Sequence, residues 1–484
     1  MPVHVTCPGV YIEELPAGTP TISGVATSIT AFIGRAASGP ADEPIAVFDC
    51  GDFQRQFGAM QADYPMSGTV QDFFSNGGGQ ALIVRLFQAP AVPTAATGIA
   101  LLTLADSQGK TVLELKAASP GAWGNRLTAR VDALNLRIDL HQPDGSVVTE
   151  SFPNDLNVLD RILESQSALA RVVILPESPP PDGSCGKGTG GIDSAPLAPA
   201  NFQGGLKALD KADLFNILCI PPDQRNGDTD PLVYQTAAAY CLSRRAMLIV
   251  DPPTDWSTSF TQNPVPDPAT LGISGDAARN AAVYFPRVRK QDSNQVDTFP
   301  ACGIIAGIYA RTDTTRGVWK APAGQDASLN GIAGLELSLT DAENGSLNPL
   351  GINCLRAFPI IGPVVWGART LRGADLLEDD YKYVPVRRLS LYIEESLYRG
   401  TQWAVFEPND ESLWSALRAG TEAFMADLQR QGAFYSYQAT CDQTTTTAAD
   451  IANGIVNIVV AFAPVKPAEF IVLTIQQQAA PPST

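Results

Sequence analysis

The sequence predicts an α+β fold with α/β modules, divided into several domains and ending in extended terminal arms. Three observations carry that expectation. At 484 residues the chain is too long for one hydrophobic core. Strand-like runs alternate with helical ones in two stretches, and a β-rich stretch separates them. Both ends, residues 1 to 15 (MPVHVTCPGVYIEEL) and 464 to 476 (PVKPAEFIVLTIQ), are short strand-like runs fenced by prolines. Left alone in water, such a run presents an unpaired ladder of backbone donors and acceptors, so the arms point to a protein that exchanges strands with neighbours. The apolar positions Val3, Val5, Val10, Tyr11 and Ile12, with Phe470, Ile471, Val472, Leu473 and Ile475, are the candidates for that exchange. The bland alternative is that each arm folds back onto its own domain.

The elements follow in order. Residues 26 to 36 (ATSITAFIGRA) are rich in β-branched and aromatic side chains and read as a strand. Residues 52 to 58, stopped by Gly58, and 67 to 79, ending in three glycines, read as helices, and ALIVRLF (81 to 87) as the next strand. From about 100 to 175 the pattern is β-rich, with strands at 111 to 117, 125 to 133 and 136 to 142, a helix at 152 to 166 and a strand at 172 to 175. The Pro- and Gly-rich stretch 177 to 201 reads as a flexible loop or linker. LFNILCIPP (214 to 222), a helix over 233 to 245 and AMLIVDPP (246 to 253) form a βαβ unit, which requires parallel pairing. Residues 274 to 288 and 301 to 313 continue the alternation. In the last third, Val386, Leu389, Ile393 and Leu397 line one helix face, and Leu413, Leu417, Gly420, Phe424 and Leu428 line another. Asn409 or Asp410 caps the second helix and Gly432 stops it, while TQWAVFEP (401 to 408) between them reads as a strand closed by Pro408.

Composition restricts function. A net charge of −17 repels phosphate backbones at long range, so nucleic acid is not an expected partner. The apolar stretches 300 to 310 and 455 to 463 fall short of the roughly 20 residues that cross a bilayer, so no direct membrane insertion is expected. The start of the chain lacks the basic segment and apolar core of a signal peptide. Eight cysteines without a CxxC pair fit reduced thiols packed as small hydrophobes in a cytosolic setting. Two histidines, His4 and His141, leave little material for a catalytic triad or a multi-histidine metal site. GKGTGG (186 to 191) matches a dinucleotide pattern literally, but a PPP run precedes it where a strand is needed, so it reads as loop. Asp251 ends a parallel strand, where α/β enzymes place an acid, yet it has no histidine partner nearby. GADLLEDDYKYV (373 to 384) lacks the spacing of a calcium loop and reads as a solvated turn. No catalytic residue, cofactor or metal site is therefore expected. The rival reading is an α/β enzyme, hydrolase-like or nucleotide-dependent, centred on residues 200 to 320. A third is a static structural protein such as a capsid or tube component.

Several long motifs in one order carry a resemblance: PGVYIEELPAGTPTISGVATSITAFIGRAASGP (8 to 40), FFSNGGGQALIVRL (73 to 86), SPGAWGNRLTARVD (119 to 132), GINCLRAFPIIGPVVWGARTL (351 to 371), VPVRRLSLYIEESLYRGTQWAVFEPNDESLW (384 to 414) and APVKPAEFIVLTI (463 to 475). The chain resembles the contractile tail sheath proteins of bacteriophages and of related phage-tail-like injection particles. The resemblance implies a structural subunit, made in the bacterial cytoplasm and then part of a virion tail or tail-like particle. Its partners would be itself, in stacked hexameric layers, an inner tube protein, and baseplate and terminal cap proteins. It implies an N-terminal arm (1 to 15), an inner domain from residues 16 to 95 and 345 to 465, an inserted β-rich outer domain (96 to 176), the loop 177 to 201, an α/β middle domain (202 to 344) and a C-terminal arm (466 to 484). It also implies a helix turned toward the tube, for which 410 to 431 is the candidate through Glu411, Arg418, Glu422, Asp427 and Arg430. A merely solvated helix face is the alternative for those five residues.

Overall fold

A computed structural model describes residues 21–61, 63–90, 97–132, 134–143, 145–174, 176–261, 265–292 and 295–472. The described residues separate into two compact units, one within residues 26–387 and one that joins residues 21–25 to residues 388–472.

The larger unit is organised by an eight-stranded sheet in the order Gly362–Val365, Ile352–Phe358, Ala281–Phe285, Met247–Val250, Ile217–Cys219, Thr30–Gly34, Ala81–Arg85, Pro44–Val47. The outermost pair at each end is antiparallel and all other pairs are parallel. Runs such as TAFIG and MLIV are buried along their whole length, as parallel strands covered on both faces must be. Successive residues enter opposite cores. Ala31 and Ile33 pack with Phe202, Leu206 and Val233 from the helices Pro199–Ala208 and Pro231–Ser243. Phe32 packs with Phe53, Phe57, Phe73 and Ile305 from the helices Cys50–Phe57, Pro65–Ser75 and Cys302–Arg316. The expected division of 16 to 95 from 202 to 344 is thus corrected: strands from both belong to one sheet, and so do two strands from the region 345 to 465. A strand apolar on both faces needs helical cover on both, and a single doubly wound sheet supplies it.

The β-rich insertion is a seven-stranded antiparallel sheet over Leu101–Ile174 and Cys185–Thr189, with the helix Leu159–Gln166 on its core. The expected helix at 152 to 166 starts only at Leu159, because Val147–Pro153 is a strand. The connector 177 to 201 is corrected more sharply. Cys185–Thr189 is a central strand, paired with Leu101–Ala105 on one side and Leu127–Asp132 on the other. Glycine makes this possible rather than flexible: a Cβ on Gly188 would collide with the Gly124 carbonyl oxygen.

In the terminal unit, the helix Glu411–Arg430 starts at Asp410, whose carboxylate accepts the Leu413 amide at 3.1 Å, and Gly432 follows its end with φ 87°. Leu413, Trp414 and Leu417 form a small core with Cys441, Trp403 and Val456. The strands Phe434–Thr440 and Val459–Pro464 pair antiparallel beside that helix. TQWAVFEP is not a strand: Gln402–Ala404 is a single 3-10 turn, because turning Trp403 into the small core takes the chain out of extended geometry.

Candidate assembly surfaces

The site an enzyme of this fold would use can be located first. In an open α/β sheet the ligand crevice lies at the carboxyl ends of the strands where the winding direction reverses. Here that point falls between Thr30–Gly34 and Ile217–Cys219. It is filled by the protein itself. The buried Arg35 guanidinium pairs with Asp223 at 2.6 Å and donates to the Asp223 and Ser194 carbonyls at 2.8 and 3.1 Å. Its guanidinium carbon also lies 5.0 Å from the centre of the Tyr64 ring. The other Asp223 oxygen accepts the Leu197 amide at 2.9 Å. Segment 194–197, which leads back from the insertion, thereby plugs the crevice.

The remaining chemical candidates also have structural partners. Asp251 is buried and its Oδ1 accepts the Ala301 and Cys302 amides at 2.8 and 2.9 Å, capping the helix Cys302–Arg316. Burial pushes its carboxyl up. Asp72 pairs with Lys290 at 2.5 Å, yet burial outweighs that cation and raises the acid to about 6. His141 is exposed, with Nε2 3.1 Å from the Thr128 hydroxyl, while His4 lies outside the described residues. The acidic run expected as a solvated turn is partly buried and ion-paired. Asp379 sits between Arg279 and Arg372 at 3.1 and 2.9 Å, and Asp375 meets Arg369 and Lys382. Burial alone would raise Asp379, but the Tyr381 amide and the two guanidiniums hold it below the usual range. Among the described residues no group of three or more His, Cys, Asp or Glu could hold a metal ion, and no helix is long and apolar enough to cross a membrane.

What the terminal unit offers instead is exposed strand and apolar surface. Among the described residues its two strands have no further partner, so each exposes one backbone edge. Tyr435 and Val459 project apolar surface from this pair at 72% and 54% exposure. The chain leaves the sheet at Pro464 in irregular form, and Phe470, Ile471 and Val472 are 75 to 87% exposed. Val3, Val5, Val10, Tyr11, Ile12, Leu473 and Ile475 lie outside the described residues.

The five charged residues singled out on the long helix do not act alike. Arg418 donates to the Cys441 carbonyl at 2.7 Å and lies 3.8 Å from Glu411. Arg430 pairs with Asp427 at 2.7 Å. Glu422 is exposed, and its backbone carbonyl accepts the Tyr437 hydroxyl at 3.3 Å. Both arginines are thus paired with acids of the same set, so the five charges largely offset one another, and at about 100° per residue Asp427 and Arg430 lie away from the face that carries Glu411, Arg418 and Glu422.

One feature has no forecast in the sequence. The Glu407 amide donates to the Ala404 carbonyl at 3.2 Å, with Val405 at φ −69°, ψ 128° and Phe406 at φ 72°. This is a type II turn with phenylalanine where glycine is the unstrained residue. The left-handed conformation costs about 1–2 kcal/mol for a side chain with a Cβ. The ring is fully exposed, at 102%. Only the positive φ reveals the anomaly, and no residue pattern in TQWAVFEP announces it.

Comparison with known proteins gives a consistent answer. Residues 203–371 match the phage tail sheath protein central domain, and residues 378–478 match the phage tail sheath C-terminal domain. The tail sheath protein of Vibrio phage KVP40 is 30% identical over 173 residues, 36% of this chain and 25% of that protein, so the chain spans about a quarter of the length of this relative. The tail sheath protein of Burkholderia phage BcepMu is 22% identical over 464 residues, 92% of this chain and 91% of that one. Among solved structures, the helical sheath of the anti-feeding prophage in its contracted state has TM-score 0.60 and 24% identity, covering 98% of this chain and 100% of that one. With its central and C-terminal regions both matched, over more than half of its length, the chain belongs to the phage tail sheath protein family.

Proposed function

We propose that the chain is the structural subunit of a contractile tail sheath, which polymerises around an inner tube and shortens to drive that tube through a target envelope. The observation that carries this reading is the match of two consecutive regions to sheath domains. Two structural features support it: a plugged ligand crevice in the larger unit and an open strand pair in the terminal unit. In this reading the terminal unit is the inner domain, and the arms of neighbouring copies, residues 1 to 15 and 468 to 484, lie along the free edges of Phe434–Thr440 and Val459–Pro464. Each net backbone hydrogen bond contributes about 0.5–1.5 kcal/mol, so a short added strand supplies a few kcal/mol per joint. Such a joint holds while subunits reorient, because the bending is taken by the chain around it.

The charged surface of the helix Glu411–Arg430 is the one offered to the tube, in a contact that is polar and salt-sensitive. Baseplate and cap proteins would bind the ends of the polymer, and the finished particle would be a virion tail or a tail-like injection device. Negative-stain electron microscopy of the purified chain at rising concentration tests the reading. Rings or tubes are expected, and a persistent monomer would overturn it. Deleting residues 1 to 15 or 468 to 484 should leave the fold and abolish ordered polymer; unchanged tubes would remove the arm assignment while leaving the sheath reading standing.

A further inference from the structure

Folding alone gives no reason for Phe406. Glycine is the relaxed choice at the third position of its turn, and water is the wrong surrounding for its ring, so two separate costs meet at one residue. The turn is firmly held. Trp403 and Ala404 pack against the small core of Leu413, Trp414 and Leu417. Asn409, just past the turn, accepts from the Trp414 indole at 2.8 Å and donates to the Ile455 carbonyl at 3.1 Å. The ring is therefore presented on a fixed platform. Val456 and Ile458 of that same core lead directly into the strand Val459–Pro464, and Val405, Ile455 and Val459 of these same segments are exposed apolar side chains.

We propose that Phe406 is a docking anchor that seats in an apolar hollow on a neighbouring copy of this chain when the polymer forms. The inference rests on the sheath reading above and adds a side-chain contact to the backbone joints. Two observations favour a second copy as the occupant. The core under the turn includes Cys441 and Ile458, the residues that directly follow and precede the two strands assigned to the joints between copies, so the anchor's platform adjoins an interface already required by the sheath reading. Copies carrying −17 each repel at long range, so contacts between them depend on apolar burial, which a fully exposed ring supplies. A knob on one surface that fits a hollow on another is a heterologous contact, which propagates into rings or helices.

The test compares the full chain with Phe406→Gly and Phe406→Asn, both residues that accept the turn. Below the assembly concentration, each variant should unfold at the same temperature as the natural chain or a higher one, because strain has been relieved. Each should also need at least about a tenfold higher concentration before polymer sediments. Assembly at the natural concentration, or a lowered unfolding temperature in both variants, would overturn the proposal. Unchanged self-assembly with lost co-assembly on the tube protein would reassign the anchor to the tube and sink the second-copy assignment. If the natural chain itself stays monomeric at every concentration, the sheath reading fails and takes this inference with it.

Discussion

The large sheet and the terminal strand pair solve the edge problem in opposite ways. At one end of the large sheet, Gly362–Val365 is covered by segment 324–329, with the Leu329 and Gly324 amides donating to the Pro363 and Val365 carbonyls at 3.0 and 2.9 Å. At the other end, Pro44–Val47 is only four residues long and begins with proline, which has no amide to offer a newcomer. Its ligand crevice is closed by Arg35 and Asp223. Among the described residues, the terminal unit has a two-stranded sheet with both edges unpaired, exposed Tyr435 and Val459, and an aromatic ring held in water by a strained turn. The first unit spends its chemistry on its own stability, and the second leaves bonding capacity unused. On the sheath reading proposed above, that unused capacity is where function resides.

Three substitutions sharpen this contrast. The largest stability effect is expected in the plug: Arg35→Ala leaves the mostly buried Asp223 carboxylate without its cation and should cost about 3–5 kcal/mol. Urea denaturation of the monomer measures it, and a loss below about 1 kcal/mol would show that the plug is dispensable. An intermediate effect is expected at Asp72. Its folded pKa of about 6 lies above the unfolded value near 3.8, so the folded state binds the extra proton between these values. Stability through this group therefore falls as pH rises from about 4 through the folded pKa to about 7 and is flat above. Asp72→Asn removes that slope. The variant should gain about 1 kcal/mol relative to the natural chain on going from pH 5 to pH 7.5, read from paired denaturation curves. The smallest effect on stability belongs to the terminal unit. Tyr435→Ser should change monomer stability by less than about 0.5 kcal/mol and yet weaken assembly. A large loss of stability with normal assembly would break the distinction between the two regions.

Residues whose environment is set by near neighbours were readable in advance. The runs at 30 to 34, 81 to 85 and 247 to 250 are apolar on both sides, which fits only a covered parallel strand, and that is what they form. The helix Glu411–Arg430 could be read from its apolar spacing, its Asp410 cap and Gly432. Cys219, Cys241, Cys302 and Cys354 are buried free thiols, and burial raises each of them, as their apolar surroundings imply.

The sequence by itself thus determined the elements whose stability comes from their own periodicity and caps, and, through its long ordered motifs, the family. Tertiary structure alone decided the rest. Gly186 and Gly188 look like linker residues until the Thr103 carbonyl of one neighbouring strand and the Gly124 carbonyl of the turn before the other leave no room for Cβ atoms. Arg35 and Asp223 are 188 positions apart and nothing local links them. Phe406 looks like a strand residue until Trp403 is drawn into its core and the chain must turn. Short-range preferences are written residue by residue, whereas close approach, ion pairing across the sheet and strain arise only when distant segments compete for the same space.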